Sequence, residues 1–241
     1  MIDPDRAIVR PVKGKNCPDL PDLAVMVSTK RDLDWLASLF KDRKLKQKKL
    51  YNGILYHSDP FSFAGPMLGA PYAVMMLETL LSWGAGKVLF VGWCGSISAE
   101  LKVGTVLVPT GAFIDEGTSR GYGGIYDDFA RPSEIMTNIL REALRFKNVP
   151  FQEGPIWTTD SIFRETAQKV EYFKDREAVA VEMELSALFT VSRYRQAELG
   201  AVLVVSDDLS DYTWKPGFKS QAFKDARKNV CEAIREICLQ I

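Results

Sequence analysis

"APYAVMMLETLLSWGAGKVLFVG", residues 70 to 92, is an amphipathic stretch that leads through a glycine-rich break into a short β-rich apolar run. The alternation recurs where "LAVMVS" (residues 23 to 28) precedes "DLDWLASLF" (32 to 40), and "AVLVVS" (201 to 206) precedes the final stretch of the chain. Strand-like runs alternating with helix-like ones predict an α/β fold. Val88 to Val91 and Val202 to Val205 are apolar on both faces, as central strands covered by helices on each side must be. The expected architecture is α/β: a single domain with a central mixed, largely parallel sheet flanked by helices on both faces. In such sheets ligands gather beyond the carboxyl ends of the strands, which turns attention to the residues just after these runs.

Those residues are "GWCGSIS", 92 to 98, expected as a turn whose two glycines let backbone approach a ligand, and "SDDLSD", 206 to 211. A third strand-like run, "GPIWTTDSIF" (154 to 163), ends in polar residues and an aromatic. Residues 111 to 134 form a glycine-rich connection of the length that serves as a lid, with Arg120 and Tyr122 placed to close over a substrate. Residues 219 to 241 carry helical spacing at Phe223, Ala226, Val230, Ala233, Ile234 and Ile237, a closing helix packed on the sheet.

The 241 residues are 46% hydrophobic, enough for a full core, and the even spread of apolar runs without a linker predicts one domain, residues 23 to 241, after an N-terminal extension of residues 1 to 22. Thirty-one basic and 31 acidic residues cancel, so no net field recruits nucleic acid or an anionic membrane, and the expected partner is a small molecule. Cys17, Cys94, Cys231 and Cys238 form no Cys-x-x-Cys pair and His57 is the sole histidine, so neither a metal nor another resident cofactor is expected. The first residues carry acids and prolines where a signal peptide needs an apolar run, which points to the cytoplasm and reduced thiols.

"AVAVEMELSALF", residues 178 to 189, places two acids around a methionine where an apolar helix is expected to begin, near Val181. On that helix Glu184, Leu188 and Val191 share one face, which aims the Glu184 carboxylate at the interior. A buried carboxylate needs hydrogen-bond donors, either backbone amides or a ligand.

Taken in order, "VGWCGSISAELKVGTVLVPTGAFIDEGTS", "AVAVEMELSALF" and "VVSDDLSD" resemble the nucleoside phosphorylase and nucleosidase family, from about Val25 to the C-terminus. The resemblance implies cleavage of a nucleoside's N-glycosidic bond. The oxocarbenium-like transition state of such a reaction calls for a grip on the ribose, a proton for the departing base and a nucleophile beneath the ring. It implies that Glu184 accepts the sugar hydroxyls, that Met183 packs on the sugar, and that Asp207 is the general acid for a purine, with Ser206 beside it. Two adjacent aspartates leave Asp207 and Asp208 as alternatives. Glu182 is either a ligand contact or an acid favoured by the helix start. The base-stacking segment falls on Asp160 to Phe163, with Ile162 at the family's aromatic position and Phe163 next to it.

The anion site departs from the family pattern. Phe90 and Trp93 stand where phosphorolytic members carry an arginine and a hydroxyl residue, and Asp32 stands where a second arginine is expected. In one reading phosphate is the co-substrate, held by Lys30 or Arg31, by Lys46, Lys48 or Lys49 of a neighbouring copy, and by backbone amides of the Gly92, Trp93, Cys94 and Gly95 stretch. In the other, Asp32 activates water. The "DEGTS" segment, Asp115 to Ser119, is more similar to phosphorylases. Charge runs such as Lys41 to Lys49 are ordinarily solvated faces, and His57 matches no family position clearly. A dinucleotide-dependent oxidoreductase is disfavoured because the turn lacks Gly-x-Gly-x-x-Gly. A nucleoside binder without turnover is the remaining rival, and the resemblance also implies a homo-oligomer.

Overall fold

Residues 7–123 and 128–240 are described in the computed structural model of the chain; residues 1–6 of the expected N-terminal extension, part of the expected 111–134 lid and Ile241 of the closing helix lie outside them. In chain order the elements are β1 (Leu23–Val27), α1 (Lys30–Ser38), β2 (Lys46–Leu50), β3 (Gly53–Ser58), β4 (Phe61–Gly65), α2 (Ala70–Ser82), β5 (Lys87–Ser96) and β6 (Val106–Asp115). They continue with β7 (Phe129–Ala130), α3 (Glu134–Phe146), β8 (Phe151–Thr159), α4 (Ala167–Lys174), β9 (Ala180–Glu182), α5 (Leu185–Tyr194), β10 (Glu198–Asp208), β11 (Lys215–Pro216) and α6 (Gln221–Gln240).

The two doubly apolar runs are β5 and β10, paired in parallel at the centre. Parallel order extends through β1 to β4 and also joins β6, β8 and β9. The β2–β3–β4 meander, β10 with β6, β5 with β9 and β10 with β11 are antiparallel, so the sheet is mixed, with antiparallel joins also among its inner strands. Because β5 pairs with both β9 and β10, the strands β10–β6–β8–β9–β5 close on themselves into a barrel-like ring.

Alternation along β1 decides the layers. Ala24 and Met26 enter a core with α2 and α5, whereas Leu23, Val25 and Val27 enter a second core with α1, α3 and α6. Helices therefore cover both faces, and burial of the leucine, valine and methionine side chains, worth about 1.5–3 kcal/mol each, drives the layering. Local signals set the helix starts. Thr29 accepts the Asp32 N–H at 3.2 Å and Ser133 the Met136 N–H at 3.3 Å, satisfying donors that the first turn leaves orphaned.

Three expectations change. The helix expected from Val181 starts at Leu185, because the alternating Ala180–Glu182 stretch is taken into the sheet between β5 and β8. The expected turn at 92 to 98 is mostly strand, since β5 stays hydrogen-bonded to β10 as far as Ser96. The 111–134 connection begins as the second half of β6, held by β8 up to Asp115.

Candidate active site

At the carboxyl ends of β1, β5, β9 and β10 lies a cavity of about 480 Å³. Ser28, Thr29, Trp93, Cys94 and Gly95 line one part of it, Val181 to Glu184 another, and Ser206, Asp207 and Leu209 a third. Ile162, Phe163, Glu165, Met67, Leu68, Trp214 and Phe218 complete it. Glu184, Met183, Glu182, Asp207, Ser206, Ile162, Phe163, Trp93 and Cys94 are thereby brought together, whereas Gly92, Arg31 and Asp32 do not line it.

Glu184 is buried, as expected, but by a different route. It is the N-cap residue of α5 rather than part of a helical stripe. Its Oε1 accepts the N–H of Gly69 at 2.6 Å. Gly69 has φ +83°, a conformation L side chains rarely adopt, so glycine is what lets this backbone turn its N–H onto the acid. Burial pushes the Glu184 carboxyl up, and backbone hydrogen bonds from Gly69 and Met183 oppose the rise.

Glu182 is also buried, and it caps α5. One of its oxygens accepts the N–H groups of Glu184 at 2.7 Å and Leu185 at 2.9 Å, and the other accepts the Thr158 hydroxyl. Burial, then the charge of Glu184, raise its pKa. The Cys94 thiol is pushed up as well, by burial and then by Asp207 and Glu182, which leaves it an inert wall rather than a nucleophile.

A bulge in β10 between Val205 and Asp207 re-aims the strand end. Asp207 faces the cavity, with the Ser206 hydroxyl on Oδ1 at 2.5 Å and the Trp214 indole N–H on Oδ2 at 2.9 Å. Asp208 instead accepts the Ser210 N–H at 2.8 Å and caps the turn, which separates the two adjacent aspartates. Gly95 lies against this pair: a Cβ there would stand 2.6 Å from Leu209 Cδ1 and 3.2 Å from Asp207 Oδ2.

Trp93 lines the cavity from β5. Its indole N–H donates to Asp32 Oδ2 at 2.6 Å, and the guanidinium of Arg227 lies 4.8 Å over its ring. Asp32 is buried, ion-paired with Arg227 and also bonded by the Thr29 hydroxyl at 2.9 Å. With Arg31 it faces a second cavity, lined also by Lys224 and Lys228, on the far side of Trp93. Asp32 thus lines the second cavity and not the main one, with both its oxygens engaged by protein donors.

Four acids line the main cavity, and no Lys, Arg or His does so among the described residues. Arg120 and Tyr122 are elsewhere. Tyr122 packs edge-on against Tyr194 of α5, and burial together with Glu78 pushes its hydroxyl up to about 12. Sequence reasoning missed Glu165, Trp214, Leu209, Ser28 and Thr29. Leu209 and Trp214 follow the Ser-Asp motif, Ser28 and Thr29 directly follow β1, where the strand-end rule points, and Glu165 carries no local signal. Among the described residues no group of three His, Cys, Asp or Glu is arranged to hold a metal, and no helix is long and apolar enough to cross a membrane.

The chain is 26% identical to a guanosine phosphorylase of Halorubrum lacusprofundi, over 90% of this chain and 91% of that protein. Among solved structures, a uridine phosphorylase of Vibrio fischeri matches with a TM-score of 0.81 at 20% identity, over 93% of this chain and 96% of that one. An AMP nucleosidase of Bacteroides thetaiotaomicron matches with a TM-score of 0.70 at 20% identity, over 90% of each chain. The model of the phosphorylase superfamily matches residues 22–241, nearly the whole described fold, and the chain belongs to that superfamily.

Proposed function

We propose that the chain cleaves the N-glycosidic bond of a purine nucleoside by phosphorolysis, releasing the free base and ribose 1-phosphate. The observation that carries the reading is that Glu184 and Asp207, acids from two different elements, open into one cavity. Glu184 accepts the sugar's paired hydroxyls, because a carboxylate's two oxygens match a vicinal diol. Met183 packs on the sugar, Ile162 and Phe163 flank the base, and Asp207 meets the base where it must take up a proton. A guanosine phosphorylase of matching length supports a purine.

Phosphate enters beside Ser28 and Thr29, where the N-terminal end of α1 meets the cavity and its free amides favour an anion. The missing cation comes from a neighbouring copy in a homo-oligomer, from the exposed lysines of β2. The enzyme works in the cytoplasm, where its four free thiols stay reduced.

A second reading, hydrolysis, is favoured by one observation: no cationic side chain lines the cavity among the described residues. Incubating purified protein with inosine, guanosine, adenosine and uridine, with and without phosphate, separates the readings. Phosphate-dependent ribose 1-phosphate is the expected product. Free ribose without phosphate establishes hydrolysis, and tight binding with neither product establishes a binder.

A further inference from the structure

We propose that the cavity between α1 and α6, behind Trp93 and outside the candidate active site, binds an oxyanion of the phosphate class, a diphosphate group. This site is separate from the entry beside Ser28 and Thr29, and it stands whether or not the main cavity cleaves nucleosides.

Helical spacing brings its lining together. Arg31, Trp35 and Ser38 recur along one side of α1, and Gln221, Lys224 and Lys228 along one side of α6 with Arg227 next to them, around a space of about 540 Å³. Arg31, Lys224, Arg227 and Lys228 face two acids there, Asp32 and Asp34. Neither acid serves the three outer cations. Asp34 is paired at 2.6 Å with Lys30, which lies off the cavity, and Asp32 is engaged by Arg227, Trp93 and Thr29. Among the described residues no ion pair engages Arg31, Lys224 or Lys228, and the Lys228 ammonium lies 5.2 Å over the Trp35 ring instead. Lys224 and Lys228 stand one turn apart on α6, where like charges repel. The cavity therefore carries positive charge that the chain itself leaves uncompensated.

The floor distinguishes this cavity from a solvated basic face. Arg227 lines it although only 7% exposed. Asp32 takes the Nη2 of that guanidinium alone, and the buried Nε has no acceptor. The half-buried Trp35 likewise keeps a buried indole N–H without an acceptor. Buried donors are ordinarily paired, so two orphans around one cavity mark a place for an acceptor-rich ligand. A phosphate-class oxyanion supplies both the acceptors and the charge, and a guanidinium fork matches its geometry. A volume well above that of one phosphate, with cations on both helices, fits a diphosphate.

Titration calorimetry at fixed ionic strength tests the site with inorganic pyrophosphate as the probe. It compares wild type, Lys224→Gln/Lys228→Gln, and Lys41→Gln/Lys44→Gln, which removes the same charge from exposed positions off the cavity. Expected is one equivalent of pyrophosphate per chain that the 224/228 variant binds ~10-fold or more weakly, the scale of one lost charge-assisted hydrogen bond, and that the 41/44 variant keeps. Reading the difference between proteins separates this equivalent from any anion held in the main cavity. ADP is the second arm. A lysine-dependent affinity for ADP above that for pyrophosphate identifies the diphosphate of a nucleotide as the ligand, and a lower one identifies free diphosphate. No pyrophosphate bound by wild type, equal affinity in all three proteins, or equal weakening in both variants overturns the site.

Discussion

The indole N–H of Trp93 reaches Asp32 at 2.6 Å, and this bond closes the wall between the main cavity and the cation-lined one behind it. Asp32 in turn neutralises Arg227, so three side chains from β5, α1 and α6 form one polar partition. Removing one partner of a buried ion pair leaves an uncompensated charge. Arg227→Met is expected to lose about 3–5 kcal/mol of stability, read from the urea midpoint at an unchanged m-value. Asp32→Asn, assayed where it remains folded, should keep turnover within about tenfold, whereas loss of a general base typically removes 10²–10⁴-fold. A collapse of activity in folded Asp32→Asn would return that residue to the role of water-activating base.

Asp207→Asn is expected to slow inosine cleavage by ~10²-fold or more, because the amide cannot hand the departing base the proton it takes up. Steady-state kinetics with the released base followed by absorbance checks this. Turnover equal to wild type would remove Asp207 from the reaction.

Glu184→Gln separates function from stability. The folded pKa of Glu184 is raised, so the folded state binds the proton more tightly than the unfolded chain. Its contribution to stability is then fully present below the ordinary carboxylate pKa and is lost as pH rises through the raised value. The amide carries no such penalty and still accepts the Gly69 N–H through its carbonyl. The variant should therefore melt higher than wild type at pH 8, by about 2–4 °C for each kcal/mol recovered, while kcat/KM on nucleosides drops. Thermal scans of both proteins at pH 5 and pH 8 test the sign, and a lower midpoint for the variant at pH 8 would refute it.

Gly95→Ala places a methyl group against Leu209 and Asp207. Displacing a reacting group by about 1 Å can cost 10²-fold, so a loss of tenfold or more is expected with the circular dichroism spectrum preserved. Wild-type kinetics in this variant would mean that Asp207 tolerates displacement and that its placement is not critical.

Much of the scaffold is legible in the sequence, because its signals are local. The apolar runs at Val88 and Val202 became the paired strands β5 and β10, and the 3.6-residue spacing of Phe223, Val230, Ile234 and Ile237 became the buried side of α6. The inward orientation of Glu184 was legible too, although the mechanism was misread: a strand segment and a capping position, not a helical stripe, bury it. Strand pairing at Ala180 and Val181 depends on β5 and β8, distant in sequence, and overrides the local helical pattern. The same reason hides Arg227, which neutralises Asp32 across 195 positions. It also hides Glu165, which sits in a polar stretch that reads as surface until Asp207 is placed near it.

The closed ring of strands has a consequence for how this pocket can diversify. Trp93, Cys94, Glu182 and Asp207 stand on β5, β9 and β10, whose main chains are laced to one another around the ring, so a replacement that moves one of them strains its neighbours. Leu68, Ile162, Phe163, Trp214 and Phe218, by contrast, project from connecting segments outside that lattice, with Phe163 97% exposed. Descendants of this chain can exchange rim residues while the strand-held floor of the pocket stays where it is.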